Sequence, residues 1–69
     1  MKPLDVLGEL LGEQVSVRLK NGIVVTGVLK AFDIHVNIVL ENATFKDAEN
    51  EQKIPNKVFL RGDMVIFIF

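Results

Sequence analysis

The sequence predicts an all-β domain with a short N-terminal helix, folded as a small, strongly bent antiparallel sheet or partly open barrel. Three observations lead there. Leu4, Leu7 and Leu11 recur at helical spacing, but from Gln14 onward the apolar residues alternate with period two. Turn signals then divide the rest of the chain into about five closely spaced strands. Gly27 lies inside the longest apolar strand, where a lone glycine marks a bend or a close backbone approach.

Each element has its own local reason. Pro3 suits the first turn of a helix and Asp5 lies where the helix dipole favours negative charge, so a helix is expected over 3–11, stopped by Gly12. Gly8 weakens its middle, so packing must support it. Val15, Val17 and Leu19 alternate with Ser16, Arg18 and Lys20, which describes a half-buried strand. Asn21-Gly22 is a strong hairpin signal, and the returning segment 23–32 is apolar on both faces. A third strand is expected over 36–45. Residues 46–53 form a polar, charged connection. Two short strands follow at about 54–61 and 63–69, interrupted by Arg61-Gly62-Asp63.

The last strand is apolar at every position from Met64 to Phe69. It is either a central strand buried on both faces or an edge that pairs with a neighbouring subunit. The small size, the 49% hydrophobic content and this tail together favour a homo-oligomer. If the edge offered differs from the edge that receives it, the contact is head-to-tail and closes into a ring.

Composition excludes several function classes. The 69 residues suffice for one domain with a small core. There is no cysteine, hence no disulfide framework and no thiolate chemistry, which fits a reducing compartment. The net charge of -1 argues against a generally basic nucleic-acid binder, so any such binding must come from local geometry. No signal peptide is expected, and the longest apolar run is too short to span a bilayer, so a cytoplasmic protein without a membrane partner is expected. Asn42-Ala43-Thr44 matches the glycosylation pattern, which carries no weight in a chain that is not secreted.

Two polar islands interrupt the apolar strands. Asp33, His35 and Asn37 alternate with Ile34, Val36 and Ile38, and on extended backbone they would project to one side. Arg61-Gly62-Asp63 forms the second island. One histidine and no cysteine leave only carboxylates to complete a metal site, so neither a metal nor a cofactor is expected. His35 with Asp33 could act as a general base, but no nucleophile motif or oxyanion device accompanies them, and catalysis is disfavoured. Arg-Gly-Asp as a cell-adhesion signal is disfavoured by its place between two strands.

At these residues the chain resembles the Sm-like (Lsm) family, and archaeal members in particular. Residues 17–42 are similar to the first Sm motif, with Lys20-Asn21-Gly22, Gly27-Val28-Leu29 and then Phe32-Asp33-Ile34-His35-Val36-Asn37-Ile38-Val39-Leu40. Residues 58–67 are similar to the second, with Phe59-Leu60-Arg61-Gly62-Asp63-Met64-Val65. The opening Pro3-Leu4-Asp5-Val6-Leu7 also resembles archaeal Sm-like proteins. The resemblance covers almost the whole chain, with the first motif at about 15–45, a variable loop at 46–53 and the second motif at about 54–69. Ala31-Phe32 stands where the family commonly has Gly-Tyr, which removes a hydroxyl, and Val36 stands where Met is frequent.

The resemblance implies an Sm fold, a helix on a strongly bent five-stranded antiparallel barrel. It implies a homo-oligomeric ring, most often heptameric with a hexamer as the alternative, in which the fourth strand of one subunit pairs with the fifth of the next. It further implies a non-enzymatic protein that binds single-stranded, uridine-rich RNA at the central pore and acts in RNA processing or as an RNA chaperone. Carried over, the RNA-binding residues are His35, Asn37 and Arg61, supported by Asp33, Gly62 and Asp63. The chemistry suits them. His and the Arg guanidinium plane present flat faces to an unpaired base, and the Asn37 amide offers a donor and an acceptor to the uracil edge. Asp33 and Asp63 would orient the amide and the guanidinium, and Gly62 would allow close backbone approach. The competing reading is a structural or protein-interaction ring with no RNA role. A bacterial Hfq-like relative is disfavoured, because that family carries Lys and His where this chain has Arg61-Gly62-Asp63.

Overall fold

The computed structural model describes residues 1–69. A short helix α1 (Pro3–Gly8) precedes β1 (Gln14–Leu19), β2 (Val24–Phe32), β3 (Ile38–Lys46) and β4 (Glu51–Leu60); a 3₁₀ turn (Gly62–Met64) then leads into β5 (Val65–Ile68). All the strands pair antiparallel in one sheet of order β4-β3-β2-β1-β5, which leaves β4 and β5 as its two edges.

The alternation in β1 sets the inner face. Val15, Val17 and Leu19 are buried there and are joined by Val25, Leu29, Ile38, Leu40, Ala43 and Leu60 in one core cluster. The β1–β2 hairpin is fixed by its turn residues: the Asn21 side chain accepts the Ile23 N–H at 3.0 Å, and the Gly22 N–H donates to the Leu19 carbonyl at 2.9 Å. The bend is built at Gly27. A Cβ there would lie 3.1 Å from the Glu41 carbonyl oxygen and 3.2 Å from the Leu40 Cβ, so β3 crosses close enough that a side chain would have to push it back by a few tenths of an ångström. The β2–β3 register shifts on both sides of Val28 and Leu29, and Asn42 sits in the facing bulge at φ 54°. Bulges raise the local twist, which lets so few strands curl around a core.

Several expectations are corrected. The helix ends at Gly8, and turns with i→i−3 bonds (Leu10 N–H to the Leu7 carbonyl, Leu11 N–H to that of Gly8) carry the chain to Gly12. Its inward side chains are Leu7 and Leu10, whereas Leu4 and Leu11 are exposed. The 46–53 connection is shorter than expected: β3 runs through Lys46, β4 starts at Glu51, and only 47–50 turn. That turn closes on Asp47, whose Oδ1 accepts the N–H groups of Glu49 and Asn50. β4 accordingly spans Glu51–Leu60, and a 3₁₀ turn occupies Gly62–Met64 before β5. Of the two readings of the apolar tail, the structure shows the edge strand that the sequence favoured: it pairs with β1 alone, and Ile66, Phe67 and Phe69 remain more than half exposed.

Candidate nucleic-acid interface

The polar row 33–37 is not extended, contrary to the period-two reading. It forms a turn between β2 and β3, because Asp33 competes for the backbone bonds that a strand would use. Its Oδ1 accepts the N–H groups of His35 at 2.9 Å and Asn37 at 3.1 Å. Its backbone closes the turn, with the Val36 N–H donating to the Asp33 carbonyl and the Asp33 N–H to the Asn37 carbonyl. Val36 is held at φ 60°, a conformation unfavourable for a β-branched residue. Strain of this kind persists only where the surroundings over-determine it.

What brings the two islands together is Asn37. Its Nδ2 donates to Asp33 Oδ2 at 3.0 Å, and its Oδ1 accepts the Gly62 N–H at 2.8 Å. One side chain therefore ties the 33–37 turn to the Arg61-Gly62-Asp63 turn. The two backbones touch at this tie. A Cβ on Gly62 would collide with the His35 carbonyl, and the Val36 carbonyl carbon would lie 2.9 Å away. Only glycine fits. The Arg61 guanidinium is paired with Asp63 at 2.9 Å, and both side chains are largely exposed.

These contacts leave polar groups of the first turn unspent. The Asn37 amide keeps one N–H and one oxygen lone pair after both tethering bonds. His35 is exposed, and its imidazole makes no hydrogen bond within the chain. The Asn37 amide above all, and the His35 and Asn37 backbone N–H groups besides, hold the Asp33 carboxyl below the usual aspartate range. No group of His, Cys, Asp and Glu side chains is arranged to hold a metal ion.

Beside the two turns lies an open groove of about 530 Å³. Asp33, Asn37 and Arg61 line one part of it, and Ala31, Val39 and Phe59 another; His35 lies outside it. Sequence reasoning missed the apolar part. Its signal was Phe59, an aromatic at an outward position of β4 that is 78% exposed.

The LSM-domain family model matches residues 5–69. The chain belongs to the Sm-like (LSM-domain) family. An Sm-like protein of Methanococcoides burtonii is 43% identical over 68 residues, covering 97% of this chain and 93% of its own length. Among solved structures, the Pyrococcus abyssi Sm protein in complex with a uridine heptamer superposes with a TM-score of 0.89 at 38% identity, covering 99% of this chain and 96% of that one. The P. aerophilum SmAP1 heptamer superposes with a TM-score of 0.90 at 34% identity, covering 99% and 90%. The LSM match takes in both islands, and no helix of the chain is long and apolar enough to cross a membrane.

Proposed function

We propose that this chain assembles into a homo-oligomeric ring, heptameric like its P. aerophilum relative, that binds single-stranded uridine-rich RNA at its pore. The observation that carries the reading is the Asn37 tether, which joins the two turns while leaving an amide edge and an imidazole free and the exposed Arg61 guanidinium held by Asp63 alone. His35 and Arg61 stack on the base, each contact of this kind being worth roughly 1–3 kcal/mol. The remaining Asn37 donor and acceptor pair with N3–H and a carbonyl of uracil, a pattern that cytosine partly reverses. Asp33 and Asp63 orient these groups, and Gly62 gives the space for them.

One slot is weak, but a ring repeats it, and a strand that enters several slots gains avidity through effective concentration. Repetition also explains how a chain of net charge -1 holds a polyanion: each subunit brings one Arg61 to the pore. The protein acts as a non-enzymatic RNA scaffold or chaperone in RNA processing, in the cytoplasm, without metal or cofactor.

Native mass spectrometry with oligouridine, oligocytidine and oligoadenine tests this reading. A ring with a clear preference for oligouridine is expected. A monomer would refute the ring, and equal affinity for the three strands would refute the role of Asn37. Arg61→Ala should weaken oligouridine binding by about tenfold or more per slot and leave the ring intact.

A further inference from the structure

The end of the sheet opposite the candidate base slot carries a cleft that the RNA reading leaves unused. β2 and β3 run between the two places: Phe32 pairs with Ile38 at the slot end, and Val24 with Lys46 at the other. At that far end the β1–β2 turn and the β3–β4 turn border two adjoining hollows, which share Asp47 and Asn50. The inner one holds about 150 Å³ and the outer one about 440 Å³. Ile23 and Phe45 form the apolar wall of the inner hollow, and both are packed against the core, so the wall is rigid.

Around this wall stand acceptors with nothing to accept. Asp47 Oδ1 is spent on the N–H groups of Glu49 and Asn50, but its Oδ2 has no partner. Asn50 and Gln52 line the inner hollow, and neither side-chain oxygen accepts a hydrogen bond within the chain. Glu49 lines the outer hollow and is unpaired, since the ion pairs of the chain join Lys30 and Lys57 to Glu41 and Arg61 to Asp63. The backbone N–H groups of Glu49 and then Asn50 hold the Asp47 carboxyl below the usual aspartate range, so it is charged at neutral pH. Lys46 also lines the inner hollow and faces Glu51 across the β3–β4 pair.

We propose that this cleft binds an arginine side chain presented by a flexible segment of a partner protein, with the guanidinium flat on Phe45 and forked onto Asp47 and Glu49. The guanidinium combines the properties that the cleft asks for. It is planar and stacks on aromatic faces, and its N–H donors form a fixed fork that matches carboxylates. Donors left over reach the Asn50 and Gln52 oxygens, and the methylene stem covers Ile23. A lysine ammonium is a compact, strongly hydrated charge that cannot lie flat on the ring. Asp47 and Glu49 repel the phosphates of RNA, and the chain holds no group of side chains arranged for a metal ion. The cleft is separate from the base slot, so the proposal does not rest on the RNA-binding ring.

Three capped tripeptides, Gly-Arg-Gly and its lysine and citrulline counterparts, are titrated into the full chain by NMR. Citrulline keeps the shape of arginine without its charge. Saturable shifts are expected at residues 21–23 and 45–52 and none at 33–37 or 61–63. The arginine peptide should bind at least about fivefold more tightly than the lysine peptide and about tenfold more tightly than the citrulline one. Asp47→Asn keeps the Oδ1 acceptor and so the turn, but not the charge, and should weaken arginine binding about tenfold, with folding checked by circular dichroism. If that variant is unfolded, Glu49→Gln serves in its place, with a loss of at least about threefold. Phe45→Leu keeps an apolar wall without the aromatic face and should reduce the preference for arginine over lysine to less than about twofold, a change that loss of charge does not produce. Equal affinity for the arginine and lysine peptides overturns the proposal, as does binding weaker than about 10 mM or binding unchanged in the carboxylate variants. Oligoadenine or oligouridine that shifts the same residues in place of the peptide overturns it too, and makes the cleft an RNA surface. A chain that binds no oligouridine at 33–37 and 61–63 refutes the proposed function and leaves this site standing.

Discussion

Gly62 and Asn37 do at residue scale what neither turn does alone. The Gly62 N–H needs the Asn37 oxygen, and the Asn37 oxygen reaches it only because Gly62 has no side chain to strike the His35 carbonyl. Gly62→Ala should therefore destabilise the fold by about 1–3 kcal/mol, as overpacking does, measured as a lower urea midpoint. Asp33 adds a pH dependence. Its bonds lower its pKa in the folded chain, so their contribution is complete above the ordinary aspartate range and is lost as pH falls through the lowered native value. Asp33→Asn should place an amide against the Asn37 amide and loosen the turn. The stability gap between Asp33→Asn and wild type, read from urea curves, should be present at neutral pH and shrink at acid pH. The residues of the candidate site stand out in the sequence, because their types are rare among apolar neighbours. Their conformation was not. Period-two spacing in 33–37 describes a strand equally well, and only the Asp33 side-chain bonds and Val36 at φ 60° turn the chain instead.

At element scale the strands follow from alternation and turn chemistry, and their ends do not. The expected strand over 54–61 begins at Glu51 instead, because Glu51, Gln52 and Lys53 pair with Lys46, Phe45 and Thr44 across the hairpin. Polar residues on an exposed edge strand carry no hydrophobic pattern, so they read as loop. The helix was over-extended for the opposite reason: Leu11 continues the helical spacing but finds no surface to cover. Burial separates elements that matter for stability from those free for contact. Leu40 on β3 is wholly buried, and Leu40→Ala should cost about 2–5 kcal/mol in chemical denaturation.

For the whole molecule, a core of nine buried apolar residues leaves both edges of the sheet in water, and with them Phe59 on β4, Ile66 and Phe67 on β5 and Phe69 just beyond it. If a ring covers them, thermal stability is linked to association. The thermal midpoint of wild type should then rise with protein concentration, and a midpoint independent of concentration would speak for a stable monomer. The sequence by itself determined the all-β class, the five strands, the close approach at Gly27 and the residue types of the candidate site. Each of these depends on local pattern or side-chain chemistry. Only the tertiary structure decided that β5 is an edge rather than a central strand, because an all-apolar strand reads the same in either place. It alone joined the two polar islands through Asn37 and Gly62, 25 residues apart, since a hydrogen bond across that separation depends on the path of the backbone between them.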